Sequence, residues 1–505
     1  MNRPLRTLLL GCATALLLLC AEITGANTEV AGANAEDIAG AGRWSPSTIL
    51  SACPGTGAPR VVFPESSPTH GTGPGAIVWS AAAPCPNATG TGAGTGAGVL
   101  VAPISASDLP GRPAAPRTAA GASIALRGAV AATGGPHGRI VIAAPSADGE
   151  LLLTEGRAGG AFAPPFSLGG PARTFAFATG YLGDAALASV GDIQPVSSTP
   201  RGRRDGHGEA GRTGAAKGVG AVQLRVQRFY ASAFAPPAQV SVAGAGASAG
   251  AGASGVGALT VALDFRSDRL VVFSLRGSLF ARELPGKGAP HAIQRLGPSP
   301  PAGAHVAAVL SDDNRAIVAW TVRHDGRTSV YVSQSQPGVI FAEPRLLEAF
   351  PDPPGLPGYV SSPQLVRLSS ESVMLAWTGD LAGHWAIRAA AIDQRGVLPP
   401  TTISPAGRDA LLAALAPGPN DEALALWTEP QPSATGLDLD AQAIYASRGF
   451  DGYPEQVKFA APELVAPPGA NSDATIAFDP DSDRAVAAWR TGPGALAYAA
   501  RAPGR

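Results

Sequence analysis

Four tryptophans end the same short apolar run: AIVAWT, VMLAWT, ALALWT and AVAAWR, with the indoles at positions 320, 377, 427 and 489. They are separated by 57, 50 and 62 residues. A period of this length is one supersecondary unit, and such a unit buries its apolar faces only by stacking on copies of itself. Each unit holds three further short runs. In His305 to Leu347 they are VAAVL, SVYVS and VIFAEPRLL, set apart by Asp, Asn, Gly and Pro. Small, β-branched and aromatic residues between turn residues predict strands, and four in a row predict an antiparallel meander.

The remaining copies of the second run are weaker. AIVWS carries Trp79 and RLVVFS carries Phe273, while RIVIAA ends at Ala144 and a degenerate DAALASV covers Asp184 to Val190. Trp79, Phe273, Trp320, Trp377, Trp427 and Trp489 are expected to fill the space between neighbouring units. The fourth run repeatedly pairs an aromatic or leucine with a proline, as in Phe162 with Pro164, Phe341 with Pro344 and Phe459 with Pro462. Proline donates no ladder hydrogen bond, so this run predicts the outermost strand. The fold class is therefore all-β: a single β-propeller of four-stranded antiparallel blades. Counting second-run copies predicts eight blades, or seven if Thr174 to Val242 is an elaboration.

The last unit stops at Arg505 without a fourth run. The fragment GRWSPSTIL, Gly42 to Leu50, has no neighbour before it and carries the missing pattern. Trp44 and Pro46 match Phe341 and Pro344, with Ile49 and Leu50 as the aliphatic end. The N-terminal strand is expected to pair with the C-terminal blade and close the ring.

AIVAWT, ISPAGRDA and the F-x-x-P-x-L ends resemble secreted bacterial β-propeller repeat proteins, loosely of the sialidase-like kind. The resemblance runs from Arg43 onward. It implies the architecture and leaves activity open, since one propeller scaffold hosts many functions.

Residues 1–33 read as a secretory leader: Arg3 and Arg6, an apolar run from Leu8 to Cys20, then small-residue exits at Thr24 to Ala26 and Ala31 to Ala33. Leu9-Leu10-Gly11-Cys12 leaves a lipoprotein as the alternative. Residues 34–42 are expected to be a flexible lead-in to the propeller at 43–505, with no membrane span once the leader is removed. Export leaves Cys53 and Cys85 in an oxidising compartment, where they are expected to be bonded, with two free thiols as the alternative. Net charge is −1 and 15% of residues are charged, so no field attracts nucleic acid. A monomer is expected.

Strand parity puts the turns between second and third strands on the same face as the blade connections. The long insertions gather there, near 86–97, 196–220 and 243–257, with Pro430 to Gln442 and Glu348 to Ser362. Surface loops on a rigid scaffold are where binding commonly resides, although low-complexity insertion explains the same composition. Arg201, Arg203, Arg204, Arg212 and Lys217 form one basic loop that suits an acidic polysaccharide or a solvated surface.

No chemistry-bearing pattern stands out. Asp479, Asp481 and Asp483 alternate as calcium ligands do, but Arg484 occupies the glycine position, and a polar hairpin turn is expected instead. The seven histidines are scattered singly, so no metal or cofactor is expected. The two readings are a non-catalytic exported propeller that binds a protein or polysaccharide through its long-loop face, and a divergent glycoside hydrolase or lyase. The latter needs Arg60, Arg173, Arg266 and Arg367 to meet a carboxylate at the channel mouth.

Overall fold

The computed structural model describes residues 43–502 except 52–54, 65–73, 82–97, 106–109, 136–137, 180–184, 192–221, 231–232, 235–237, 243–255, 265–267, 302–303, 312–314, 336–340, 353–355, 357–358, 369–371, 419–420, 435, 451–456, 480–481, 483 and 493. The leader, Cys53, Cys85, the five basic-loop residues Arg201, Arg203, Arg204, Arg212 and Lys217, and Arg266 lie outside the described residues.

There is no α-helix among the described residues, and so no helix long and apolar enough to cross a membrane. The chain opens with β1 (Thr48–Ser51). A three-stranded sheet follows, from β2 (Gly55–Val62), β3 (Gly75–Ala81) and β4 (Gly98–Ile104). An eight-stranded sheet takes β5 (Ala131–Gly134), β6 (Ile140–Pro145), β7 (Glu150–Gly156), β8 (Phe166–Thr179), β9 (Ala185–Gly191) and β10 (Val222–Tyr230), with β11 (Ala233–Phe234) and β12 (Ala238–Val242) both on β10. The next two sheets have four strands each: β13 (Val256–Leu263), β14 (Arg269–Leu275), β15 (Ser278–Leu284) and β16 (Gln294–Pro298), then β17 (Ala307–Leu310), β18 (Ala316–His324), β19 (Arg327–Gln334) and β20 (Arg345–Pro351). In the fifth, β21 (Gln364–Arg367), β22 (Val373–Leu381) and β23 (His384–Asp393) carry an outer strand split into β24 (Gly396–Val397) and β25 (Thr401–Thr402). The sixth repeats this split: β26 (Leu411–Pro417), β27 (Glu422–Ser433), β28 (Gly436–Phe450), β29 (Lys458–Phe459) and β30 (Glu463–Gly469). The final sheet joins β31 (Asn471–Phe478), β32 (Ala485–Thr491) and β33 (Ala495–Arg501) to β1 at the chain's other end.

The pairing is antiparallel, and the innermost strands follow one another around an axis. β2 lies beside β5, then come β8, β13, β17, β21, β26 and β31, which lies beside β2. Eight innermost strands thus surround the axis, and among the described residues they are gathered into seven sheets, the smaller of the two counts expected from the repeats. The cause is β8, which crosses from one repeat into the next without a turn. Its first part pairs with β7 through Phe166, Ser167 and Pro171, and its second with β9 from Ala172 to Thr179. Two repeats are thereby fused into one sheet.

The six expected core aromatics, Trp79, Phe273, Trp320, Trp377, Trp427 and Trp489, are fully buried, at 0–1% exposure. Each packs against the preceding sheet. Trp320 sits with Leu270 and Leu296, Trp377 with Val330 and Phe350, and Trp489 with Leu426 and Ala466. Burying such a ring contributes on the order of 3 kcal/mol, so the seams between sheets form the core. Two-residue turns Arg276-Gly277, Asp325-Gly326 and Ala382-Gly383 have both φ values positive, the twist that matches tight hairpins.

The fourth run has a recurring form. Phe162, Phe341 and Trp44 each bridge back just past a third strand, to Gly156, Ser335 and Arg501. Proline follows each, ahead of the outermost strand rather than inside it. β1 pairs with β33, with Thr48 opposite Tyr498 and Ile49 opposite Ala497. Trp44 packs between the last two sheets and Leu50 against the first, whereas Pro46 is exposed and Ile49 is 57% exposed.

Candidate functional site

The outermost strands share one irregularity that aims side chains into the seams. Where each crosses its third strand, the register slips by one residue. Leu279 faces Gly297 while Phe280 faces Arg295; Val330 faces Glu348 while Tyr331 faces Leu346; Ile444 faces Ala466 while Tyr445 faces Leu464. β1 does the same at Leu50. A bulge re-aims the residue after it, here toward the second-strand aromatic of the next sheet. Those following residues are Gly297, Ala466 and Ser51, all small. A Cβ at Gly297 would already stand 3.4 Å from the Trp320 ring.

The seam between the β17–β20 and β21–β25 sheets departs from this pattern at three positions. Glu348 stands where the others have a small residue, and accepts a 2.6 Å hydrogen bond from Trp377 Nε1. Across the strands from the second-strand aromatic, other sheets place Phe280, Tyr331, Tyr445, Leu100 or Ala497, whereas Trp377 faces Arg388. The third is Gly379. A Cβ there would meet Glu348 Oε2 at 2.6 Å and Arg388 Cγ at 2.8 Å, so the missing side chain is the room that both charged groups occupy.

The electrostatics of this seam are unbalanced. Burial pushes the Glu348 carboxyl above its ordinary value; hydrogen bonds from Trp377 and from the Asp380 backbone N–H, with the nearby charge of Arg388, offset this only in part. Arg388 donates from NH1 to Thr402 Oγ1 at 3.0 Å, and its enclosed Nε has no hydrogen-bond partner. Glu348 and Arg388 feel each other's charge, yet no contact ion pair joins them among the described residues. Glu348, Arg388 and Thr402 are each half-buried. The next seam contrasts with it. Glu429 accepts both from Trp427 Nε1 at 3.2 Å and from Arg408 at 3.4 Å, and is itself buried.

Two stretches read as open loops are ordered and packed. In Glu348 to Ser362, of which 353–355 and 357–358 lie outside the described residues, Phe350 and Leu356 are buried, and Tyr359 stacks edge-on to Trp385 at 4.9 Å. The Tyr359 hydroxyl bonds Thr378 Oγ1 at 3.1 Å, and burial pushes its pKa up to about 12. Pro430 to Gln442 extends the β27–β28 hairpin, where Leu437 packs against the Trp385 cluster and Leu439 is exposed.

Of the channel arginines, Arg60 lies on β2 and Arg367 on β21, both innermost strands, and the side chain of Arg173 on β8 lies outside the described residues. Burial lowers the Arg60 pKa, and no carboxylate pairs with it among the described residues. Asp479 accepts from Ser482 and Arg484, which makes that segment a polar turn at the start of β32; Asp481 and Asp483 lie outside the described residues. No group of three metal-ligating side chains occurs among the described residues.

Sequence reading missed Glu348, Gly379, Arg388 and Trp385. A faint signal for two of them exists: Gly379 follows AWT where Val322 and Glu429 follow the same stem, and Arg388 interrupts a third run that carries Tyr331 or Tyr445 elsewhere.

No family model and no curated protein matches the chain. Among solved structures, the BP39L lectin from Burkholderia pseudomallei is similar at 15% identity, with 83% of this chain and all of that one covered at a TM-score of 0.45. An ulvan lyase bound to a GlcA–Rha3S saccharide is similar at 10% identity, over 72% of this chain and 89% of that one, at a TM-score of 0.38. A lectin from Aleuria aurantia in complex with a fucosylated GlcNAc is similar at 12% identity, over 67% of this chain and 96% of that one, at 0.30. At these values the likenesses bear on no residue of the seam.

Proposed function

We propose that this chain is an exported, non-catalytic β-propeller that captures a saccharide at the seam between the β17–β20 and β21–β25 sheets. One observation carries the reading: half-buried Glu348 and Arg388 share one seam and feel each other's charge without a contact ion pair among the described residues. A hydroxyl is the group that donates to a carboxylate and accepts from a guanidinium at once, and a sugar presents several in fixed geometry. Glu348 supplies acceptor sites and Arg388 a guanidinium held in place by Thr402. Trp377, Gly379 and Thr402 fix their positions, which lowers the entropy lost on binding.

The test is a glycan array probed with the mature chain and with Arg388→Ala. Wild-type signal on defined glycans, lost in a variant with an unchanged melting curve, supports the reading. A blank array for the wild type overturns it. The competing reading, a sialidase-like hydrolase or lyase at the channel mouth, draws on Arg60 and Arg367 on innermost strands; it requires a carboxylate partner and is tested by assaying Arg60→Ala and Arg367→Ala on polysaccharide substrates. Export through residues 1–33 is part of the proposal, and N-terminal sequencing of the protein outside the cytoplasm tests it.

A further inference from the structure

We infer that residues 43–51 form a detachable strap over the last sheet, and that the ring stays closed when the strap lifts.

Little of the strap lies inside the ring. Between Arg43 and Ser51, Ser51 is buried, Trp44 and Leu50 are half-buried, and the other six residues are exposed. It is held to β33 by the pairs Thr48–Tyr498, Ile49–Ala497 and Ser51–Leu496 and by the Trp44–Arg501 bridge. Ser45 adds two bonds: its N–H donates to Ala500 O at 2.7 Å, and its Oγ accepts from the Ala500 N–H at 3.1 Å. Trp44 enters the seam on one side of the last sheet and Leu50 the seam on the other.

Lifting the strap leaves closure in place. β33 keeps β32 as its partner from Ala495, opposite Thr491, to Arg501, opposite Ala485. The first and last sheets meet directly. The Gly55 N–H donates to Gly494 O at 3.0 Å, Arg490 donates to Gly55 O at 3.2 Å, and Ile77, Trp79 and Leu100 pack with Val486, Ala488 and Leu496. On the other side Arg501 is tied to the preceding sheet, where its Nε and NH2 each donate to the Glu463 carboxylate of β30 at 3.1 Å. None of these contacts runs through the strap.

The closed strap also carries a cost that its counterparts lack. Elsewhere the fourth run sets Phe162 opposite Gly156, Phe341 opposite Ser335 and Phe459 opposite Gly449. Here Trp44 stands opposite Arg501, which is 1% exposed. Trp44 Nε1 and Arg501 NH1 are both enclosed without a hydrogen-bond partner among the described residues. An enclosed donor without an acceptor is destabilising, and both donors regain water when the strap lifts. Segments with few buried contacts open locally at a fraction of the global cost.

The experiment is native-state hydrogen exchange on the mature chain, read amide by amide. The Ser45 N–H reports the strap and the Gly55 N–H reports closure. Ser45 is expected to exchange at least about 100-fold faster than Gly55, with little dependence on added urea. Trp44→Ala should speed Ser45 about tenfold or more and leave Gly55 unchanged. Trp44→Phe removes the enclosed Nε1 while keeping a ring, and should leave Ser45 exchange equal to or slower than in the wild type. Exchange of Ser45 and Gly55 at one rate, or acceleration of both by Trp44→Ala, overturns the inference, because strap and closure would then be one unit. Acceleration by Trp44→Phe as large as that by Trp44→Ala overturns the part assigned to the enclosed donors.

Discussion

Gly379→Ala is the sharpest perturbation of the seam, because the structure says what the added methyl strikes. It would stand 2.6 Å from Glu348 Oε2, 2.8 Å from Arg388 Cγ and 3.1 Å from Glu348 Cδ, whereas ordinary contact begins near 3.4 Å. The φ of Gly379 is not positive, so alanine carries no backbone penalty and the effect isolates the clash. Glu348 has the flexible end and must yield, giving up the bond from Trp377 Nε1. A hydrogen bond to a charged group is worth roughly 1.5–3 kcal/mol, and overpacking adds on the order of 1 kcal/mol where relief is incomplete. Since the seam is half-open to water, about 1–2 kcal/mol of lost stability is expected. Urea denaturation measures it in a double-mutant cycle with Glu348→Ala. In that background the carboxylate is gone and only the 2.8 Å contact with Arg388 Cγ remains, so the same methyl should cost less. An equal cost in both backgrounds would refute the claim that Gly379 exists to house the Glu348 carboxylate.

Three other outcomes are expected. Burial raises the folded-state pKa of Glu348 above its ordinary 4.5, so the folded chain holds that proton more readily than the unfolded one; the stability this contributes is present below the ordinary value and is lost as pH rises through the folded value. Glu348→Gln should therefore raise the melting temperature at neutral pH and change it little in acid, while saccharide binding by the wild type should fall as pH drops through the raised value. Trp320→Ala should cost about 3–5 kcal/mol in urea denaturation because the ring is fully buried, and Trp44→Ala roughly half as much because its ring is half-buried; equal costs would contradict this packing. Cys53 and Cys85 lie outside the described residues but flank the ends of β2 and β3, where Gly55 pairs with Ala81. Alkylation of the unfolded, unreduced mature chain should find no free thiol, and reduction should cost about 3–4 kcal/mol.

Much of this architecture was legible in the sequence because its signals are local. A short apolar run bounded by turn residues reads as a strand wherever it sits, and a fixed period of such runs forces stacking, so the all-β propeller and its tryptophan-filled seams follow from spacing alone. The match of Trp44 and Pro46 to Phe341 and Pro344 is local in the same sense, since it compares one repeat with another. The sheet count was not: Gly169, Gly170 and Pro171 inside Phe166 to Thr179 are turn-marking residues, and whether the chain breaks there or carries through from one repeat to the next depends on what the two sheets do around it. Packing likewise decided that Phe350 and Tyr359 lie against Trp385. The seam site needed tertiary structure most of all. Glu348, Trp377 and Arg388 come from three strands of two sheets, and the direction of Glu348 hangs on a one-residue slip at Leu347. Side chains alternate along a strand with period two, so a single bulge reverses the parity of everything after it. A sequence shows the residues but not the register, and register is set by the partner strand.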